Sequence, residues 1–460
     1  MAEKPRKNPK NPIDAKLPET TMNRLLGPVQ RFMHVQAASG IVLLICTVTA
    51  LVLANSPYAK TFISIWKTPI EFSIGSFHIA DTVGHLLIND GLMTIFFFVV
   101  GLEVKREIIA GELRDPRKAL LPIVAALGGM VGPALVYLAF QYGEPGERGW
   151  AIPMATDIAF VVGFLALFGK RVPFGLKIFL LSLAIVDDIG AVLVIATVYT
   201  NKIAMSWLLV AAIGFVVTYS LNLLGVRRVP AYIVVGAVIW LAFLKAGIHP
   251  TVAGVMLGLM TPSSAWLGDK TFSAVIEEAW TRMRGGDYTQ TKSYEEMERI
   301  GFALRESVSP LTRLETILHP WVAFGIMPLF ALSNAGVTFN FSLLKEPVAI
   351  AVAAGLVLGK PLGIILTAFI AVKLGLTRLP ANVNWLMMIS AGCLAGIGFT
   401  MSLFINGLAF NPAEFPSFQS AGKIGTMTGS LISSLLGGTL LVVSIYLIKK
   451  KAPAAKTEND

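Results

Sequence analysis

Charge is what this chain has least of. Only 14% of its 460 residues are Asp, Glu, Lys or Arg, against about 25% in a typical soluble domain. A water-soluble fold needs a polar surface over its core, and so apolar a chain cannot supply one. A soluble enzyme is excluded, and so are disorder, collagen and coiled coil. Cysteine is nearly absent too. Cys46 and Cys393 are the only two and both stand in apolar runs, so no disulfide framework or cysteine zinc site is expected; each reads as a small buried hydrophobe. The chain has no Walker A loop and no Gly-x-Gly-x-x-Gly turn between a strand and a helix, so no nucleotide partner is expected. Its net charge of +10 is scattered rather than gathered in one domain, which argues against a nucleic-acid partner.

What the chain has is apolar length. It is 55% hydrophobic, with a mean hydropathy of +0.69, and a bilayer span needs about 20 mostly apolar residues. Runs between charge clusters fall at 35–55, 82–102, 119–140, 150–168, 174–199, 206–224, 229–244, 247–260, 318–335, 348–372, 386–409 and 423–448. The expected class is therefore an all-α polytopic membrane protein with about twelve transmembrane helices, and the bilayer is its first partner. Basic residues cluster after the even-numbered runs: Lys105, Arg106, Arg114, Arg117 and Lys118; Lys170 and Arg171; Arg227 and Arg228; Lys373 and Arg378; Lys449, Lys450 and Lys451. The loops after odd-numbered runs hold little beyond Arg148, Lys202, Lys245 and Lys345. Short cytoplasmic loops carry the basic excess, which puts both termini inside.

The expected organisation is a cytoplasmic segment 1–34, a transporter domain 35–448 and a cytoplasmic tail 449–460. Segment 1–34 is basic (Lys4, Arg6, Lys7, Lys10, Lys16, Arg24, Arg31) without an apolar core, unlike a cleaved signal peptide. The loop 56–81 is expected outside; its alternating Ile70-Glu71-Phe72-Ser73-Ile74, then Gly75-Ser76 and Phe77-His78-Ile79, reads as a β-hairpin. Exposed hairpin edges invite pairing with a second copy, so a homodimer through 56–81 is expected. The long loop 261–317 is expected in the cytoplasm, solvated and partly helical, with Glu277, Glu278, Arg282, Arg284, Glu295, Glu296, Glu298 and Arg299 around Gly285-Gly286-Asp287.

Four ionisable residues stand deep in apolar runs: Asp157 in the fourth, Asp187 and Asp188 in the fifth and Lys360 in the tenth. At mid-bilayer each costs about 2.5 to 3.5 kcal/mol even on a lenient scale, which makes each a functional-site candidate. A structural salt bridge is the plain alternative for a single acid. It explains the adjacent pair poorly, because neighbouring side chains on a helix point about 100° apart and cannot share one partner; at least one is expected to line a water-filled cavity. Paired carboxyls titrate in coupled steps, and a deprotonated carboxylate is a hard oxygen ligand for a small cation. One site then holds protons or Na⁺ or Li⁺ in turn. Two protons released per cation make each cycle move net charge, which the membrane potential drives.

Two runs are poor helices at their centres. The fourth has Pro153 ahead of Ala155-Thr156-Asp157, and the eleventh reads Gly392-Cys393-Leu394-Ala395-Gly396-Ile397-Gly398-Phe399-Thr400. Paired interrupted spans point to a midplane site built from discontinuous helices, where Asp157 would offset facing helix amino ends and Lys360 facing carboxyl ends; close packing by glycine is the plainer alternative. The strings Trp150-Ala151-Ile152-Pro153-Met154-Ala155-Thr156-Asp157-Ile158-Ala159-Phe160, Leu183-Ala184-Ile185-Val186-Asp187-Asp188-Ile189-Gly190-Ala191, Leu358-Gly359-Lys360-Pro361-Leu362-Gly363 and Gly396-Ile397-Gly398-Phe399-Thr400-Met401-Ser402 resemble the bacterial NhaA Na⁺/H⁺ antiporters, over roughly residues 28–448.

The resemblance implies a twelve-span inner-membrane protein with an inverted repeat (spans 3–5 against 10–12), crossed discontinuous spans 4 and 11, and dimerisation through the external hairpin. It implies that Asp187 and Asp188 carry cation and protons, that Thr156 and Asp157 support the unwound chain, and that Lys360 is the compensating cation. Whether Lys360 itself releases a proton stays open. It further implies regulation by pH, with Glu103, Glu107, Glu315 and His249 at the matching positions; Thr316, where relatives have a second histidine, is a departure. The transported ions are Na⁺, Li⁺ and H⁺, with no cofactor. An intramembrane aspartyl protease also uses two buried acids, but from two helices and with a Gly-x-Gly-Asp motif that no span here contains. A sodium-coupled symporter would need a pocket for an organic substrate.

Overall fold

In lipid every backbone N–H and C=O must be satisfied within its own segment, so apolar runs of this length become helices. The computed structural model describes residues 36–451 except 75–76, 201–202, 227–228, 285–289, 339 and 412–413; segment 1–34 and most of the tail 449–460 lie outside the described residues. Among the described residues nine helices are long and apolar enough to cross a membrane: Val83–Ala110, Pro116–Gln141, Glu147–Leu167, Phe174–Val198, Met205–Leu223, Val229–Ala246, Pro310–Asn334, Pro347–Lys373 and Pro416–Leu447. Two bent pairs, Ala38–Ala54 with Ala59–Trp66 and Trp385–Ala395 with Phe399–Ala409, raise that to eleven if each is one span. Pro250–Met260 is a shorter apolar helix. The protein is an all-α polytopic membrane protein.

The described residues hold one two-stranded sheet. Strands β1 (Pro69–Ile74) and β2 (Phe77–Thr82) pair antiparallel, with Ile70 opposite Asp81 and Ser73 opposite His78. The Val83 N–H donates to the Thr68 carbonyl at 2.9 Å, which closes the hairpin base onto the start of Val83–Ala110. Ahead of the strands, Ala59–Trp66 forms a short helix that no long apolar run announced. Its axis turns 120° from Ala38–Ala54, since Pro57 cannot continue the first helix.

The charged stretch between Pro250–Met260 and Pro310–Asn334 folds into two helices, Asp269–Arg284 and Gln290–Glu306, joined by Arg299 to Glu278 at 3.0 Å. The next helix begins at Pro310, capped by Ser309 accepting from the Thr312 N–H at 3.2 Å, eight residues before the run that hydropathy marks from 318. Arg313 and Glu315 fall in these added turns, where charge outweighs apolar content without breaking the helix.

Pro116–Gln141 and Pro347–Lys373 meet backbone to backbone through glycine. A Cβ on Gly363 would strike the Gly128 carbonyl oxygen, and one on Gly132 the Gly359 carbonyl oxygen; small residues allow this approach in membranes. Pro347–Lys373 widens to a π-helical turn over Gly355–Gly359, a distortion frequent beside functional sites, and the next residue is Lys360.

Candidate functional site

The site grows from two interruptions. Glu147–Met154 is a 3₁₀ turn containing Pro153, which lacks an N–H and ends regular helix. The chain then runs extended to Asp157, the N-cap of Ile158–Leu167, whose Oδ1 accepts from the Phe160 N–H at 3.0 Å. In the second interruption Gly396-Ile397-Gly398 separates Trp385–Ala395 from Phe399–Ala409, with a 43° bend. Glycine is required here: a Cβ on Gly398 would come 3.0 Å from the Ala155 carbonyl oxygen and strike the Ser402 hydroxyl.

The two breaks touch. The Asp157 N–H donates to the Ile397 carbonyl at 2.7 Å and the Thr156 hydroxyl to the Ala395 carbonyl at 2.9 Å. Asp157 Oδ2 accepts from the Thr400 N–H at 3.0 Å and the Thr400 hydroxyl at 2.5 Å. One carboxylate thus faces the amino ends of two helices, where partial positive charge concentrates. The carboxyl end of the 3₁₀ turn is met by a cation, since Lys360 Nζ donates to the Met154 carbonyl. Ser430, on Pro416–Lys451, accepts from the Gly398 and Phe399 N–H groups at 3.3 and 3.2 Å.

Lys360 also joins the breaks to the acids. Its Nζ lies 2.6 Å from Asp187 Oδ2, with both side chains at most 1% exposed, and the Thr156 N–H donates to the same oxygen at 2.9 Å. Such a pair holds in low dielectric only when well bonded. Asp187 Oδ1 and Asp188 Oδ1 are buried with no hydrogen-bond partner among the described residues. Bare carboxylate oxygens away from water are costly, and a proton or a small hard cation is what satisfies them. The structure therefore brings Thr156, Asp157, Asp187, Asp188 and Lys360 into one buried neighbourhood.

A cavity of about 700 Å³ opens nearby, bounded by Glu107, Glu112, Arg114, Lys118 and, at its inner end, Ser182. Ser182 precedes Asp187 by five residues, about 7.5 Å along the helix, so neither aspartate lines this cavity. Ile185 intervenes, packed on Val100 and Val104 of the facing helix. At that same helix end Arg106 contacts Glu315 and lies 3.3 Å from Glu107, while Glu103 lies 3.9 Å from His319. Glu103, Glu107 and Glu315 form one cluster. His249 is elsewhere: it caps Pro250–Met260, and its Nε2 sits 3.3 Å from Asp90 Oδ1, thirteen residues, or about 20 Å, up the helix from Glu103.

Thr400 and Ser430 are site residues that reading the sequence did not single out; Arg106 is expected from its spacing to share a helix face with Glu103 and Glu107 as a plain ion pair, and the structure adds Glu315 to its partners. Thr400 had a usable signal, a hydroxyl just after a glycine-flanked break, as helix starts favour. Ser430 had none.

Residues 30–441 match the family described as Na+/H+ antiporter 1. The chain is similar to Na(+)/H(+) antiporter NhaA 2 of Acidiphilium cryptum, 47% identical over 431 residues that cover 94% of this chain and 95% of the relative. It is 48% identical to Na(+)/H(+) antiporter NhaA of Rhodopirellula baltica, covering 93% and 96%, and 45% identical to Na(+)/H(+) antiporter NhaA of Rhizobium meliloti, covering 92% and 96%.

Proposed function

The chain belongs to the Na+/H+ antiporter 1 family, and on that premise we propose that it exchanges Na⁺ or Li⁺ for protons across the bacterial inner membrane. The observation that carries this reading is the pair Asp187 and Asp188, adjacent, buried, each with an oxygen lacking a hydrogen-bond partner among the described residues. In one state the carboxyls hold protons. When these leave, the free oxygens take a dehydrated monovalent cation, and the two ligands exclude one another. Lys360 neutralises Asp187 while the site is empty of cation, and is released when the cation arrives. Thr156 and Asp157 hold the interrupted chains that shape the site. If two protons are released per cation, each cycle moves one net charge, and the membrane potential contributes about 2.3 kcal/mol per 100 mV to expelling the cation.

The same reading makes the protein a secondary transporter rather than an enzyme, with no organic cofactor, nucleotide or nucleic acid. It has about twelve spans in an inverted repeat and both termini in the cytoplasm. Glu103, Glu107 and Glu315, clustered around Arg106, adjust activity to pH, with His249 contributing from a separate position. Two copies associate through the 56–81 hairpin. The deciding experiment follows collapse of a proton gradient in everted vesicles on adding Na⁺, Li⁺ or K⁺ between pH 6 and 9. Na⁺ and Li⁺ collapse the gradient with wild-type protein; a response that persists in both Asp187→Asn and Asp188→Asn overturns the mechanism.

A further inference from the structure

A second group of ligand-type side chains lies at the other end of Val83–Ala110, where the hairpin joins it. Asp81, His85 and Asp90 each offer one ligand atom, and the three atoms lie within 4.8 Å of one another. His85 Nδ1 is 2.9 Å from Asp81 Oδ2 and 3.4 Å from Asp90 Oδ2. We propose that Asp81, His85 and Asp90 form a binding site for a divalent transition-metal ion of the zinc class, with water as fourth ligand and His249 orienting Asp90.

The geometry suits that ion. Ligands about 2.0 to 2.1 Å from a tetrahedral zinc lie about 3.3 to 3.4 Å from one another. His85 is partly exposed, its side chain at 55%, and can turn toward an ion; Asp81, at 33%, is held by its Oδ1 accepting from the Thr82 N–H at 2.6 Å, which leaves Oδ2 on the His85 side as the ligand atom. Asp90 is fixed. Its side chain is 2% exposed, and its carbonyl accepts from the Trp240 indole N–H at 2.9 Å and the Thr94 hydroxyl at 2.5 Å. Asp90 Oδ2, the oxygen turned to His85, has no hydrogen-bond partner among the described residues. A buried carboxylate oxygen left bare beside an imidazole and a second carboxylate is a ligand set awaiting a cation. One nitrogen and two oxygens select zinc-class ions over thiolate-seeking copper(I).

His249 completes a second layer. Its Nδ1 faces the Thr251 hydroxyl at 2.7 Å and the Thr251 N–H at 3.4 Å. With Nδ1 accepting from that N–H, the ring proton sits on Nε2, 3.3 Å from Asp90 Oδ1 and with no hydrogen-bond partner of its own among the described residues, so a small turn of the ring gives it Asp90 as acceptor. A partner of this kind holds a metal-binding carboxylate in place and tunes its affinity. The occupied site would tie β2 to Val83–Ala110 and, through His249, to Pro250–Met260.

The test is a calorimetric titration of the purified, tag-free full chain with ZnCl₂. Wild-type protein takes up one ion per chain. His85→Ala and Asp81→Asn each weaken binding by tenfold or more, His249→Gln weakens it about tenfold, and His78→Ala and His319→Ala bind like wild type. Zn²⁺ raises Tm in wild type and not in His85→Ala. The proposal is overturned if wild type shows no saturable binding, if His85→Ala and Asp81→Asn bind as tightly as wild type, or if His78→Ala loses binding equally. Because Asp81 and His85 are both partly exposed, a sharp monodisperse peak on size exclusion separates lost ligation from lost folding.

Discussion

Asp157 and Thr400, 243 residues apart in sequence, are joined twice: one carboxylate oxygen of Asp157 accepts both the backbone N–H and the hydroxyl of Thr400. Hydrogen bonds to a charged group contribute about 1.5 to 3 kcal/mol each. Thr400→Val keeps the side-chain volume and deletes the hydroxyl, so it is expected to lower stability by about that amount and to depress Na⁺-dependent exchange. Thr400→Ser restores both. Thermal denaturation in detergent and vesicle exchange check the pair; equal behaviour of Val and Ser would remove the hydroxyl from the account.

Lys360 and Asp187 are each buried with the other as counter-ion. Breaking such a pair on one side costs about 3 to 5 kcal/mol, because the remaining charge is stranded, whereas replacing both partners with uncharged groups is often near neutral. Lys360→Met alone should therefore lower Tm more than Lys360→Met combined with Asp187→Asn. Neither variant is expected to transport. If the double variant is as unstable as the sum of the singles, the two residues are not coupled as the 2.6 Å contact indicates.

Two tyrosines hold the chain leading into the first break. The Tyr137 hydroxyl donates to the Gly146 carbonyl at 2.7 Å and the Tyr199 hydroxyl to the Arg148 carbonyl at 2.8 Å. Tyr→Phe at either position leaves a carbonyl without its donor, at about 1 to 3 kcal/mol. Denaturation midpoints measure the loss. Both carbonyls lie within three residues, so the double variant should depart from additivity, as contacting sites do.

The glycine contact between Pro116–Gln141 and Pro347–Lys373 admits no side chain. Gly363→Ala drives a methyl into the Gly128 carbonyl and is expected to cost 1 to 3 kcal/mol or more, the range of about one overpacked methyl. Gly407, in Phe399–Ala409, has nothing within 4 Å of its absent Cβ, so Gly407→Ala should stabilise by up to about 1 kcal/mol through helix propensity. The two variants compared in one melting series separate packing from propensity.

The helices were legible because lipid leaves the backbone almost no alternative, and charge clusters mark their ends. The breaks were legible from Pro153 and from Gly396 and Gly398, residues that weaken a helix locally. The charged turns at Pro310 were hidden because hydropathy measures solvent preference, not helicity. Ala59–Trp66 was hidden by its length, eight residues. Asp157, Asp187, Asp188 and Lys360 stood out because each violates the apolar pattern around it. Their surroundings did not: Thr400 stands at the second break in sequence, but only folding sets it against Asp157, and Ser430 is an ordinary residue in a membrane helix that folding alone brings to that break. His249 and Asp90 show the same limit, since nothing in a linear reading puts a residue before Pro250 against one at position 90.

The two interrupted helices have a mechanical consequence. Each break draws part of its capping from the other: Asp157, besides capping its own helix Ile158–Leu167, serves Phe399–Ala409, Ile397 accepts from Asp157, and Thr156 serves Trp385–Ala395. Sliding one chain past the other would strand a carboxylate between two bare helix ends. The pair consequently has fewer independent degrees of freedom than two separate helices would. In the exchange proposed above, that shared capping makes the pair the fixed element, and the parts that change places would be those that turn around it.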